Sequence, residues 1–379
     1  MDSSKNIFAI ISYPFLPATT GGEISTMQIL NYMGKVNRVK VFTVESYADV
    51  SKLKFDFEPI FGMPFKSSRY LNLLLLPRIV KLVKQHQTDF IFFDQPWMGW
   101  MIPFLRLFTG RKVFIRSNNI EYLRFKSMGK NWWPVLYMYE KFTYKVSNLV
   151  IFVSDTDQQK AIYEFDLKPE NTLLTPYGIP QLTMPEPIAH AREKLQKLHQ
   201  IKPDEKIILF FATMSYQPNF EAVGFIADFI YPRLKSNSEF SFRILICGKN
   251  LPEPIKEKLA DKPEINYLGF VDDIELYIDG ADVMINPILS GGGVKTKAID
   301  TLGRSQTVIS TQTGAEGIDP GVCGSNLIII PNNDWDAFTE AIKKQLTETK
   351  PVIPQSFFET YSWTHIIKGL MEKLGKGNR

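Results

Sequence analysis

Cysteine is almost missing from this sequence of 379 residues: Cys247 and Cys323 are its only thiols, and they stand far apart. That excludes a disulfide framework and fits a reducing, cytoplasmic setting. Histidine is nearly as scarce. His86, His190, His199 and His365 form no pair at ligand spacing, so no structural metal is expected. No apolar run reaches the roughly 20 residues of a membrane-spanning helix. The apolar start is broken by Pro14 and Pro17 too early for a signal peptide. Two phosphate signatures are also absent: no Gly-Lys-Ser/Thr P-loop occurs, and no Gly-x-Gly-x-x-Gly follows the first strand. The second absence disfavours a nicotinamide enzyme.

What is present reads as an ordinary globular protein, with 44% hydrophobic and 22% charged residues. The length exceeds what one core usually supports, so two domains are expected. The net charge of +4 is unevenly divided. Residues 1–184 carry 22 Lys/Arg against 15 Asp/Glu, or +7, and residues 185–379 carry 22 against 25, or −3. The first half either attracts anionic partners or scatters its charge over a solvated surface. No nucleic-acid partner is expected.

Short Val/Ile/Phe-rich runs alternate with helical stretches, the pattern of βα units in a parallel sheet. Strands are predicted at 6–12, 38–44, 89–93, 112–116 and 149–153. A second series follows at 206–212, 242–247, 265–268, 283–286, 307–310 and 327–330. Between them, 176–187 holds four prolines and a glycine and reads as a linker. The expected architecture is α/β: two Rossmann-like, doubly wound domains, 1–184 and 185–360, facing across a cleft. A terminal helix within 361–379, starting at Trp363, is expected to pack back on the first domain. In such sheets ligands bind beyond the carboxyl ends of the strands.

The segment NPILSGGGVKTKAID, 286–300, is the most informative. A strand ends at Asn286, the turn Gly291, Gly292, Gly293 follows, and a helix is predicted from Val294. Glycines allow close backbone approach to a phosphate, and a helix start attracts anions. Lys295 and Lys297 add charge for a diphosphate, and Asp300 is placed to accept bonds from hydroxyls. Elsewhere, Asp155-Thr-Asp157 and Asp272-Asp273 are read as helix caps rather than metal ligands.

From Phe210 to Ile318 the strings FFATMSYQPNFEAVGFIADFIYPRL, ICGKN, YLGFVDD, INPILSGGGVKTKAIDTLG and VISTQTGAEGI resemble retaining GT-B glycosyltransferases of the group 1 (family 4) class. PATTGGEIST, RSNNIEYLRF, VSDTD and TPYGI extend the resemblance more loosely through the first half. It implies transfer of a sugar from a nucleotide-diphosphate donor to a glycan or lipid-linked acceptor. Configuration would be retained, with no metal and no cofactor besides the donor substrate.

The second domain would then bind the donor through Asn219, the 291–293 turn, Val294, Lys295, Lys297, Asp300 and Glu316. Gly22 would face donor phosphates and acceptor. Arg116, Asn118 and Glu121 would lie near the reaction centre. Asn219 alternatively caps a helix over 220–229, and Glu23 either orients a hydroxyl or favours its helix start. Asn118 stands where the family has a histidine; an amide positions a hydroxyl but moves no proton. The family's paired glutamates are also not intact, with Asp300 in the second position.

Two alternatives stay open: a nucleotide-sugar epimerase, and a non-catalytic GT-B protein binding sugars or a partner. The leucine- and lysine-rich stretch 69–84 and the aromatic stretch 131–144 fit either packing on the sheet or peripheral docking on an anionic membrane.

Overall fold

The computed structural model describes residues 4–18, 20–45, 50, 53–237 and 240–376. The chain forms two compact units: Met1–Pro180 with Trp363–Arg379, and Gln181–Ser362.

The first unit holds a seven-stranded parallel sheet. Its strands are β1 Asn6–Ile11, β2 Arg38–Val44, β3 Glu58–Met63, β4 Phe90–Asp94, β5 Lys112–Ser117, β6 Leu149–Phe152 and β7 Thr172–Leu174. Their order is β3-β2-β1-β4-β5-β6-β7, so the winding reverses between β1 and β4. Alternation along β1 divides its side chains between two cores. Phe8 and Ile10 join one cluster, while Ile7, Ala9 and Ile11 join the other. Burial on both faces is why these strands read as continuous apolar runs.

The terminal helix Trp363–Lys376 belongs to this unit. Its Trp363, Ile367 and Leu370 share a core with Ile29, Leu30 and Met33 of the helix Gly21–Val36. Trp363 N donates to Ile179 O at 2.9 Å. Gly178 lies flat against the Trp363 ring, where a Cβ would overlap it.

The second unit repeats the plan with six parallel strands. They are β8 Lys206–Phe211, β9 Phe242–Cys247, β10 Ile265–Gly269, β11 Val283–Asn286, β12 Val308–Thr311 and β13 Leu327–Ile330, ordered β10-β9-β8-β11-β12-β13. Here the winding reverses between β8 and β11.

Several local expectations need correction. The strands Glu58–Met63 and Thr172–Leu174 were not predicted; both are sheet edges with weaker apolar patterning. The first helix begins at Gly21 behind Thr20, whose hydroxyl caps it. The helix expected from Val294 spans Thr296–Leu302, because glycine and lysine hold the preceding residues in a turn. Ser154, rather than Asp155 or Asp157, caps the helix Asp155–Phe165, accepting from Asp157 N at 3.1 Å. Asp273 does cap Ile274–Gly280, accepting from Leu276 N.

Candidate functional site

In the second unit, three loops converge at the carboxyl ends of β8, β11 and β12. Asn286, fully buried at the end of β11, ties two of them together. Its Nδ2 donates to Gly314 O at 2.7 Å and to Ser310 Oγ at 3.3 Å. Thr311 Oγ1 donates to Ile288 O and accepts from Gly314 N at 3.0 Å. Gly317 packs on Val294, where a Cβ would come within 2.6 Å of Val294 Cγ2.

The third loop arrives from β8. Gly291, at φ +84°, sits so close to it that a Cβ would lie 2.5 Å from the Tyr216 hydroxyl and 2.9 Å from Pro218. Both the positive φ and the contact require glycine here. Asn219 is not the helix cap. The helix is Gln217–Phe225 behind Tyr216, and Asn219 Nδ2 donates back to Thr213 O at 2.8 Å.

The two lysines occupy different settings. Lys295 Nζ donates to Gly291 O at 2.6 Å and Gly293 O at 2.9 Å, so its ammonium knits the glycine turn from within. Lys297 Nζ stands 3.4 Å from Asn219 Oδ1 and 4.5 Å from the centre of the Phe210 ring. Burial pushes the Lys297 ammonium down to about 7, and the nearby Lys295 adds repulsion. Burial lowers Lys295 too, while Glu316 opposes the shift. Two cations this close, one poorly solvated, raise the local positive potential. Glu316 is exposed, Gly292 is exposed, and Val294 and Asp300 are half-buried. Tyr216 leaves half of its ring on the surface.

In the first unit, Gly22 is exposed with open space around it. Glu23 completes a capping box, its Oε2 accepting from Thr20 N at 2.9 Å. Beneath this helix start lies a buried polar network. Arg116 pairs with Asp94 at 3.5 Å and donates through Nη2 to Ser25 Oγ. Asp94 Oδ2 also accepts from Thr26 Oγ1 at 2.7 Å and from the Tyr13 hydroxyl. Burial, and then Asp94, raise the Tyr13 phenol well above its usual value. Arg116 is 1% exposed, so it fixes the helix Gly21–Val36 to the strand ends instead of meeting solvent.

Asn118 is half-buried, and its Oδ1 has no hydrogen-bond partner among the described residues. Glu121 is buried and pairs with Arg124 at 3.0 Å; burial raises its carboxyl despite that partner. Behind it, Glu140 accepts from Glu121 N at 2.9 Å and Tyr122 N at 2.8 Å, holding the start of the helix Glu121–Ser127. Burial pushes the Glu140 carboxyl up to about 8. Sequence reasoning missed Tyr13, Asp94, Gln95 and Glu140, none of which sits in a quoted motif. The alignment of β1, β4 and β5 brings Tyr13, Asp94 and Gln95 together, while Glu140 arrives on the helix Trp133–Val146. Among the described residues, no group of three or more His, Cys, Asp or Glu side chains could hold a metal ion.

Residues 205–348, within the second unit, match the family described as glycosyl transferases group 1. A Klebsiella pneumoniae protein described as an uncharacterized 44.6 kDa protein in the cps region is 29% identical over 133 residues. That match covers 34% of this chain and 34% of the relative, about a third of its length. A glycosyltransferase of Rickettsia africae superposes with TM-score 0.74 at 14% identity, covering 99% of both chains. HepE of Anabaena, solved with UDP and glucose, gives TM-score 0.70 at 13% identity over 98% of this chain and 100% of its own. The fold is GT-B.

Proposed function

We propose that this chain, carrying a group 1 glycosyltransferase domain on a GT-B fold, moves a sugar from a nucleotide diphosphate to a glycan or lipid-linked acceptor. The observation that carries this reading is Lys297, a poorly solvated cation beside the glycine turn at the winding reversal of the second sheet. A diphosphate there would restore its charge and gain backbone contact from Gly291–Gly293. Glu316 would accept from ribose hydroxyls, Asp300 from the sugar, and the exposed Tyr216 ring would offer a stacking face to the base.

Transfer proceeds with retention and without a metal. The anomeric carbon–oxygen bond to the diphosphate breaks, and the acceptor oxygen bonds to that carbon on the same face. The acceptor proton passes to the departing phosphate oxygen. This assigns proton transfer to the leaving group, consistent with Asn118 in place of an imidazole. Lys297 and backbone N–H groups stabilise the negative charge that develops.

A thermal-shift screen against UDP-, GDP-, ADP- and dTDP-sugars, with EDTA present, tests the donor site. One sugar nucleotide is expected to raise Tm in proportion to the logarithm of its excess over Kd. UDP-sugars are the first choice, because HepE was solved with UDP and glucose. No shift with any of the four would overturn the transferase and epimerase readings together and favour the non-catalytic one. Release of free nucleotide separates transfer from epimerisation, whose product keeps the bond between sugar and diphosphate.

We also infer peripheral docking of the first unit on an anionic bilayer. No helix among the described residues is long and apolar enough to cross a membrane. The helices Leu75–Gln85, Ile102–Thr109 and Trp133–Val146 each bury one face. Their outer faces and the preceding loop leave Leu71, Leu73, Leu74, Leu107, Val135 and Met138 more than 60% exposed. A groove of about 670 Å³, lined by Leu76, Val80 and Phe108 with Lys81 and Lys84, lies among them. Apolar side chains beside lysines suit acyl chains under anionic headgroups. The protein is expected to sediment with phosphatidylglycerol-containing vesicles at low salt and not with purely zwitterionic ones. A Leu73→Glu/Leu74→Glu variant should lose most of that binding; equal binding by variant and wild type would refute the surface.

A further inference from the structure

The carboxyl edge of the first sheet carries a row of polar atoms that the protein leaves unused. β1 pairs Ile11 with Asp94 of β4, and β4 pairs Asp94 with Arg116 of β5. One step further along the strands stand Ser12 and Gln95, and two steps beyond Arg116 stands Asn118. Ser12 Oγ, Gln95 Oε1 and Asn118 Oδ1 are all buried, and none has a hydrogen-bond partner among the described residues. Ser12 is 2% exposed and Gln95 8%. Buried polar atoms are normally satisfied, so these three, with Asp94 Oδ1 and Arg116 Nη1 between them also making no hydrogen bond, call for an explanation. They straddle the winding reversal between β1 and β4, where open α/β sheets place their ligands.

The backbone of Gln95 adds a second observation. Its φ of 73° and ψ of 153° fall where glycine is at ease and a side chain is strained. The peptide is locked there from both sides: Gln95 N donates to Arg116 O at 2.8 Å, and Pro96 follows. A glycine would relieve the strain, yet this chain carries an amide with an unpartnered oxygen.

We propose that Ser12, Gln95 and Asn118 form a subsite for the hydroxyl groups of an uncharged sugar, the acceptor end of the reaction. This rests on the transferase reading above. The chemistry selects the ligand. Two amide oxygens accept hydrogen bonds only, so the ligand must donate at least two, while the serine hydroxyl can do either. The adjacent Arg116–Asp94 pair, 3.5 Å apart, carries no net charge and so favours an uncharged ligand beside it. A phosphate at neutral pH offers few donors and is a poor fit. A sugar ring supplies several hydroxyl donors along one edge.

The test reads binding without turnover. Saturation-transfer NMR and titration on the full chain would use methyl glucosides, galactosides, mannosides and N-acetylglucosaminides of both anomeric forms. At least one is expected to bind the wild type, and Gln95→Gly and Asn118→Ala should each weaken it by roughly fivefold or more. Gln95→Gly should also raise Tm by roughly 2–4 °C, because the strain goes with the amide. Loss of binding in a stabilised protein cannot be ascribed to misfolding. A wild type that responds to a nucleotide sugar but binds no glycoside overturns the subsite, as does binding that survives both substitutions. A wild type that binds a glycoside but responds to no nucleotide sugar supports the subsite and overturns the transferase reading alone.

Discussion

Lys297→Ala is expected to weaken nucleotide-sugar binding roughly a hundredfold, about 2.7 kcal/mol. The ammonium lies against Phe210 and meets Asn219 Oδ1 at 3.4 Å, and a bound diphosphate would become its principal partner. Binding an anion must raise the lysine pKa from its depressed value of about 7. Donor affinity is therefore greatest below pH 7. It falls by up to about tenfold per pH unit above that, as binding has to recruit a proton. The diphosphate of a sugar nucleotide does not titrate in this range, so the slope belongs to the protein. Lys297→Arg keeps its charge at all these pH values and should bind with a nearly flat profile. Calorimetric titrations at pH 6.5 and 8.5 give the answer, and a flat wild-type profile would refute the assignment.

The free protein should show the opposite sign. Between about pH 7 and the unfolded lysine value of about 10.4, the unfolded chain binds the extra proton, so folding stability rises with pH. Lys297→Ala removes that contribution. It should leave the unliganded second unit as stable as the wild type or more so near pH 7, the reverse of its effect on binding.

Arg116→Ala is expected to destabilise the first unit by about 3–5 kcal/mol. The guanidinium is 1% exposed and pairs with Asp94, itself 1% exposed. Removing it leaves a buried carboxylate held, among the described residues, by Thr26 and Tyr13, and frees Ser25 from the strand ends. Denaturant unfolding reads this directly. The double replacement Arg116→Met/Asp94→Leu should recover most of the loss, since both buried charges then go. If Arg116→Ala instead unfolds like the wild type but loses turnover, the residue meets substrate and its positioning role is wrong.

These two residues show how unevenly the site could be read from sequence. Lys297 stood out because glycines and lysines cluster at a strand end, a local pattern. The same pattern gave Lys295 an equal standing, whereas its ammonium is turned inward onto the carbonyls of Gly291 and Gly293. Arg116 was singled out through a resembling motif, but its partner Asp94 lies 22 positions earlier in no motif at all. Gln95 carries no signal in one dimension, since neither a positive φ nor an unpartnered oxygen is written in residue type.

The sequence by itself determined the two α/β sheets, because strands buried on both faces must be apolar throughout and their turns must be polar or glycine-rich. It missed the edge strands Glu58–Met63 and Thr172–Leu174, where one-sided pairing relaxes that demand. Tertiary structure alone decided which strand ends become neighbours. Parallel pairing with a winding reversal sets Ser12 beside Gln95 and β8 beside β11. Sites made from such neighbours depend on register between distant segments, and register is fixed by packing rather than by any single segment.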